Sequence, residues 1–204
     1  MAVHVYRSSR EEPEMPQLSA RSVVKHLTSN TAVWLILLCA SALLTAAYTC
    51  VTPFAAFAVI AAAALSRRDA LLVMGAMWLV NQTVGFAWLH YPWTATTFAW
   101  GIAIGAAAMS GTLSAKWTIE CLSACRSSVQ VLAAFLFAFA VYELALYGAA
   151  VLVLGGGGAF TLRIIVEVLF INAVTLLGLF ALSELAGVLR RAGRRSEIAP
   201  ADFA

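Results

Sequence analysis

Amides and charged groups that lie inside long apolar runs are the residues of this sequence whose chemistry can matter most. Polar groups are costly in hydrocarbon, so they face the interior of a helix bundle and find partners there. No nucleophile elbow, phosphate loop, HExxH motif or paired-carboxylate pattern accompanies them, so we expect no enzyme. Ligand binding and hydrogen bonding between helices are the chemistries that remain for this set, which comprises Asn81, Gln82, Glu143, Arg163, Glu167 and Asn172.

Two adjacent amides, Asn81 and Gln82, interrupt the third apolar run. Neighbouring residues of a helix point about 100° apart, so we expect at most one of them to face a central cavity squarely. Hydrogen bonds that fix helix packing and contact with a ligand both remain open. The same helix brings Tyr91 to its end, where an aromatic face beside amides suits a small planar or weakly polar ligand.

The charged groups Glu143, Arg163 and Glu167 are predicted in the same half of the bundle, on the fifth and sixth helices. Arg163 and Glu167 are four residues apart and share a helical face, so an internal ion pair is the alternative to a binding role. Glu143 either pairs with Arg163, bonds a neighbouring helix or lines the site. The predicted ligand-binding set is Asn81, Gln82, Tyr91, Glu143, Arg163 and Glu167.

Metal ligands are sparse and scattered. His90 has no second imidazole near it, because His4 and His26 belong to the N-terminal segment. Cys121 and Cys125 are four residues apart and are predicted to be reduced thiols. Because a metal site needs several converging ligands, we expect neither a metal nor a cofactor.

The composition indicates the elements that hold these residues. The chain has 204 residues, of which 62% are hydrophobic and 11% charged, against about 25% charged in soluble domains. Apolar runs such as 131–142 are continuous, which favours helices over barrel strands. We predict an all-α, polytopic membrane helix bundle (29–190) with six transmembrane helices, an N-terminal tail (1–28) and a C-terminal tail (191–204). The helices are expected at about 31–48, 54–65, 70–89, 96–113, 129–154 and 160–189.

The second apolar run is the shortest. Residues 54–65 would span about 18 Å as a helix, whereas the hydrocarbon core is about 30 Å thick. Extension at both ends, neighbours that bury its termini, and a re-entrant path are the three solutions. In the fourth run, Gly101 and Gly105 form a GxxxG spacing that lets helices approach closely.

Basic residues predict the orientation, because cytoplasmic segments keep an excess of Lys and Arg. With six spans and both termini cytoplasmic, all of the 13 basic residues except Arg163 lie at the inner side. This pattern predicts a multi-pass protein of the cell inner membrane. The net charge of +3 reflects this topology and not a nucleic-acid surface, so membrane lipid is the expected partner.

This layout resembles the substrate-binding S component of energy-coupling factor vitamin transporters. The likeness covers about 31–189 and includes a short second helix after Thr52-Pro53-Phe54 and the cluster Asn81-Gln82-Gly85 in the third helix. The resemblance implies a vitamin or metal ion bound from the outside, and a coupling subunit that contacts Ala42 and Ala46 of the first helix. The N-terminal metal-binding histidines of the cobalt and nickel members are missing.

The leading hypothesis is an inner-membrane protein that binds a small solute from the outer side and contributes to its uptake. A partner subunit or an ion gradient would supply the energy. The alternative is a non-catalytic accessory or assembly subunit of a larger membrane complex, in which the polar groups only lock helices together.

Overall fold

The computed structural model describes residues 30–48 and 52–198, with the side chains of 36–45, 52–158 and 160–182. These residues are helical, and no β-strand occurs among them. A π-helical turn (Ala150–Leu154) continues the fifth helix, and a 3-10 turn (Gly157–Ala159) precedes the sixth. The α-helices are α1 (Asn30–Tyr48), α2 (Phe54–Ala64), α3 (Arg67–Ala87), α4 (Ala95–Cys121), α5 (Ser127–Ala149) and α6 (Leu162–Ile198).

Four of these segments are long and apolar enough to cross a membrane: Arg67–Ala87, Ala95–Cys121, Ser127–Leu154 and Leu162–Leu182. Two shorter apolar segments, Ile36–Thr45 and Phe54–Ala64, accompany them. The prediction of an all-helical integral membrane protein is confirmed. Six crossings and the placement of both termini stay predictions, and the predicted tail 1–28 and residues 199–204 lie outside the described residues.

Two helices run further than the sequence predicts. α4 ends at Cys121, so Lys116 belongs to a helix and not to the polar connector in which we expected it. α6 continues to Ile198 instead of ending near 189, because the Arg-rich stretch that follows is built from good helix formers.

The short helix α2 is the centre of the bundle. Its 11 residues cover about 16 Å, and it contacts each of the other five helices. One face, including Phe57 and Ala61, forms a core with α3 and α4. The opposite face, including Val59 and Ala62, packs against α5 and α6. The many alanines of α2 allow this close approach from several sides.

Side chains from two other helices satisfy the ends of α2. Near its N-terminus, the Ala56 N–H donates to Asn172 Oδ1 of α6 at 3.1 Å. Beyond its C-terminus, Lys116 Nζ of α4 donates to the carbonyl oxygens of Ala62 at 3.0 Å and Leu65 at 2.9 Å. A positive charge at a helix C-terminus also favours the helix dipole. Of the three solutions for a short helix, the structure therefore shows neighbours that bury and cap its ends.

Helices α3 and α4 pack closely through the two glycines of the GxxxG spacing. The Trp78 indole Nε1 donates to the Gly101 carbonyl at 2.8 Å. A Cβ atom on Gly105 would lie 2.9 Å from the same indole. The GxxxG spacing is thus used inside the chain.

Candidate binding pocket

A small polar pocket lies at the N-terminal end of α2, between α3, α4 and α5, with a volume of about 120 Å³. We call it the α2 pocket. None of the side chains that line it carries a charge. Its walls are formed by Thr52, Phe54, Asn81, Gln82, Tyr91, Thr97, Trp100, Gly101, Ile104 and Tyr142.

The pocket exists because α2 is short. Gly101 and Ile104 of α4 lie level with the start of α2, since they line the same pocket. Gly101 follows the first residue of α4, Ala95, by six positions, which is about 9 Å along the helix. The space between the start of α2 and the α3–α4 turn is therefore not filled by helix, and the pocket occupies part of it.

Asn81 joins three parts of the chain at the pocket wall. Its Nδ2 donates to Thr52 Oγ1 at 2.6 Å and lies 3.5 Å from Thr45 Oγ1 on α1. The two threonine hydroxyls are 3.1 Å apart and bond each other. The packing interpretation of this amide is therefore correct, and it does not remove Asn81 from the pocket lining.

Both amides of α3 line the pocket, whereas we expected at most one to face it. Gln82 Nε2 donates to Asn81 Oδ1 at 3.0 Å, because the longer glutamine side chain can fold back along the helix. Its Oε1 lies against α4, where a Cβ on Gly101 would be 2.5 Å away. Within the described residues this oxygen accepts no hydrogen bond, so it is an acceptor available to a ligand.

Tyr142 supplies a second available group. Its side chain is 8% exposed and lines the pocket from α5, packed against the ring of Phe54 at 6.1 Å between centroids. Its hydroxyl forms no hydrogen bond within the part of the chain that the structure describes. The hydroxyl is therefore available to donate to or accept from a bound solute.

The α3–α4 turn places Tyr91 at the pocket. His90, three residues after the end of α3, lies in the left-handed region, with a φ of 55°. The chain then folds back so that Tyr91 N–H donates to the Gly85 carbonyl at 3.0 Å. The Tyr91 ring lies directly over Gly85, where a Cβ would be 2.6 Å from it. Glycine at position 85 is therefore required for the tyrosine to lie here.

The three charged residues of the predicted set lie elsewhere. Glu143 is next to Tyr142 in sequence, but it is half-buried and does not line the pocket. Arg163 and Glu167 are exposed on α6. No ion pair joins the three within the described residues, so neither the pair of Arg163 with Glu167 nor the pair of Glu143 with Arg163 forms there, and their binding role stays a prediction. The sixth polar residue, Asn172, caps α2.

Sequence reasoning missed Thr52, Trp100 and Tyr142 as pocket residues. The sequence shows that Thr52 and Tyr142 are polar residues at the ends of or within apolar runs. It does not show that they lie close together, because that depends on how deeply α2 is buried in the bundle. No group of three or more His, Cys, Asp and Glu side chains among the described residues is placed to hold a metal ion.

A larger apolar groove of about 450 Å³ runs between α3 and α4 on the other side of Gln82. Aromatic rings dominate it, with Phe86 and Phe98 stacked at 4.9 Å between centroids and Trp93 at 5.0 Å from Phe86. Gln82 and Gly101 line both this groove and the α2 pocket. The glutamine side chain is therefore the polar wall between a lipid-like environment and the pocket.

Comparison with known proteins gives no match to this chain among family models, curated proteins or solved structures.

Proposed function

We propose that this chain is an inner-membrane protein with six spans and both termini in the cytoplasm, and that it binds a small uncharged solute from the outer side and contributes to its uptake. The observation that carries the proposal is the α2 pocket, a recess with uncharged walls inside a membrane bundle. Its hydrogen-bonding groups include two that have no described partner, Gln82 Oε1 and the Tyr142 hydroxyl.

The distribution of basic residues supports the outer location of this pocket. Arg67, Arg68, Lys116 and Arg126 lie at the end of the bundle opposite the α3–α4 turn, and basic residues collect on the cytoplasmic side. The turn end, where Tyr91 lines the pocket, has no lysine or arginine between 88 and 94. The proposed site thus opens toward the outside.

The lining favours an uncharged solute. A buried charge needs a partner of opposite sign, and none of the pocket residues offers one. The N-terminus of α2 points at the pocket and carries partial positive charge, which disfavours a cation further. A hydroxyl or amide group would match the acceptor of Gln82 and the donor of Tyr142, and the rings of Tyr91 and Trp100 suit a flat group.

The volume limits the size of that solute. One water molecule takes about 30 Å³ of liquid, so a pocket of about 120 Å³ has the room of about four waters. It accommodates a compound of a few non-hydrogen atoms, or the polar end of a larger one. Following the resemblance to S components, we propose that a coupling subunit supplies the energy for uptake.

Native mass spectrometry of the protein extracted gently from its own membranes tests this function. We expect a retained small molecule in the wild type, and its loss in Tyr142→Phe and Gln82→Leu. Glu143→Gln is the matched control, because it changes the neighbouring residue outside the pocket and should keep the solute. A solute that persists in both pocket variants but is lost in Glu143→Gln would contradict the pocket and favour a site at the charged residues.

An accessory or assembly subunit is the second candidate function, and the hydrogen bonds of Asn81 to Thr45 and Thr52 support it. These bonds hold helices together without any ligand. The same spectra separate the two functions. A stoichiometric protein partner with no small molecule, together with reduced abundance of the whole complex in Asn81→Leu, would favour the subunit.

A further inference from the structure

Helix α6 presents one continuous exposed stripe, which we call the α6 seam. Its residues follow one another at alternating spacings of four and three, the repeat of a helix that packs along another helix. The opposite side of the helix, including Asn172 and Leu176, is buried and packs on α2. The seam is made of Arg163, Glu167, Phe170, Val174, Leu177 and Ala181, and all of them are exposed.

The two charged residues of the seam need an explanation that the apolar ones do not. Phe170 and Leu177 can face lipid without cost. Arg163 and Glu167 lie within the apolar segment Leu162–Leu182, and neither forms an ion pair or hydrogen bond within the described residues. Charged groups inside a membrane almost always pair or face a polar interior. A partner that covers the seam would provide those pairs.

We propose that the partner is a second copy of this chain, related by a two-fold axis along the membrane normal. Such an axis brings two α6 seams side by side in parallel, and each contact occurs twice. Identical residues then lie at the same height, and each Arg163 lies one helical turn from Glu167 of the other copy, so that two diagonal Arg–Glu pairs form across the axis. The two positions are one helical turn apart, about 6 Å along the axis, which a long arginine side chain can bridge. The seam is therefore complementary in charge to itself.

Charge reversal tests this complementarity. In mild detergent, at several ratios of protein to detergent, native mass spectrometry measures the fraction of dimer. Arg163→Glu gives a seam with two acids, and Glu167→Arg gives a seam with two bases. We expect each single reversal to weaken the dimer at least tenfold and the double reversal to restore it. Glu120→Arg is the control. Glu120 is an exposed charged residue near the C-terminal end of α4, away from the seam, and its reversal should leave the dimer unchanged.

Co-expression of the two single variants with different affinity tags sharpens the test. The acidic and the basic seam should combine into a mixed dimer, while neither variant pairs with itself. A partner of another kind would not respond in this way, since its own charges stay the same. If the wild-type chain is monomeric at every ratio of protein to detergent, the proposal is overturned. It is also overturned if the double reversal fails to restore the dimer.

Cysteine cross-linking in native membranes keeps the proposal testable if a reversed variant does not accumulate. Val174→Cys lies on the seam and should give a disulfide-linked dimer well above the background of the unsubstituted chain. Leu182→Cys is at least as exposed as Val174→Cys but points about 100° away from the neighbouring seam position, 181, and should stay at background. Equal cross-linking of the two variants would contradict the seam.

Discussion

The second and the sixth helices depart from the thickness of a membrane in opposite directions. α2 has 11 residues, about 16 Å, and α6 has 37, about 55 Å, against a hydrocarbon core of about 30 Å. Eight residues of α2 are buried, whereas only 11% of the apolar segment of α6 is buried. The short helix is enclosed by all the others, and the long one is attached mainly through α2.

This difference determines what the polar residues of each helix do. Side chains of other helices form hydrogen bonds with both ends of α2, and Asn172 and Lys116 serve that purpose. α6 is not enclosed in this way, and the side chains of Arg163 and Glu167 are exposed on it. Arg163 and Glu167 can therefore take part in contacts outside the chain. A polar residue in an apolar run is not by itself a sign of a binding site.

The largest expected effect comes from adding volume to the enclosed helix. Ala61 is fully buried in α2, so Ala61→Leu forces α3 or α4 to move. Overpacking typically costs about 1–3 kcal/mol, and because this change adds three carbon atoms we expect a cost of about 3 kcal/mol, at the upper end of that range. A chain of this size loses about 2–4 °C of melting temperature for each kcal/mol. The measurement is thermal unfolding in detergent.

Ala140→Leu is the matched control, because the same change at an exposed position of α5 adds a side chain that faces lipid or detergent. We expect it to alter the melting temperature by no more than about 1–2 °C, since exposed substitutions change stability by about 0.5 kcal/mol or less. If both substitutions are equally tolerated, α2 is not the rigid centre of the bundle.

Local patterns were enough to predict most of the fold. Apolar run length, turn residues and the distribution of basic residues gave six helices, and each lies within a few residues of its predicted start. The end of α4 was wrong, because polarity alone placed Lys116 in a connector. Its ammonium group instead reaches the carbonyl of Ala62, 54 positions earlier in the chain, and no local pattern contains such a contact.

The candidate site was predictable where its residues belong to one hairpin. Asn81, Gln82 and Tyr91 are close in sequence, and they line one pocket. Tyr142 was missed, because its place depends on how deeply α2 lies and on the rotation of α5. The same rotational uncertainty applies to Glu143, because counting along a helix gives the height of a residue but not the direction of its side chain.

The cap at the C-terminal end of α2 gives the next largest effect. Lys116→Met keeps most of the side-chain length and removes the ammonium group that binds the Ala62 and Leu65 carbonyls. Hydrogen bonds from a charged group contribute about 1.5–3 kcal/mol, so we expect the melting temperature to fall by about 3–12 °C. Lys116→Arg keeps the charge and the donors and should recover much of the loss. Arg68→Met, an exposed basic residue near the same end, should have little effect, and an equal loss there would contradict the cap.

The cap at the N-terminal end is expected to contribute less, because it is a single uncharged hydrogen bond. Asn172→Leu keeps the size of the side chain and leaves the Ala56 N–H without its acceptor, at a cost of about 1–2 kcal/mol for an unsatisfied buried donor.

Thr112→Val is the control for Asn172→Leu. Its buried hydroxyl bonds only the Ala108 carbonyl of its own helix, so its loss leaves no donor unpaired and should cost less. Both are measured as free energies of unfolding in the same detergent. If Asn172→Leu is as harmless as Thr112→Val, the contact between α2 and α6 is held by apolar packing alone. Lys116 would then be the only side-chain cap that distinguishes α2 from α6 among the contacts tested.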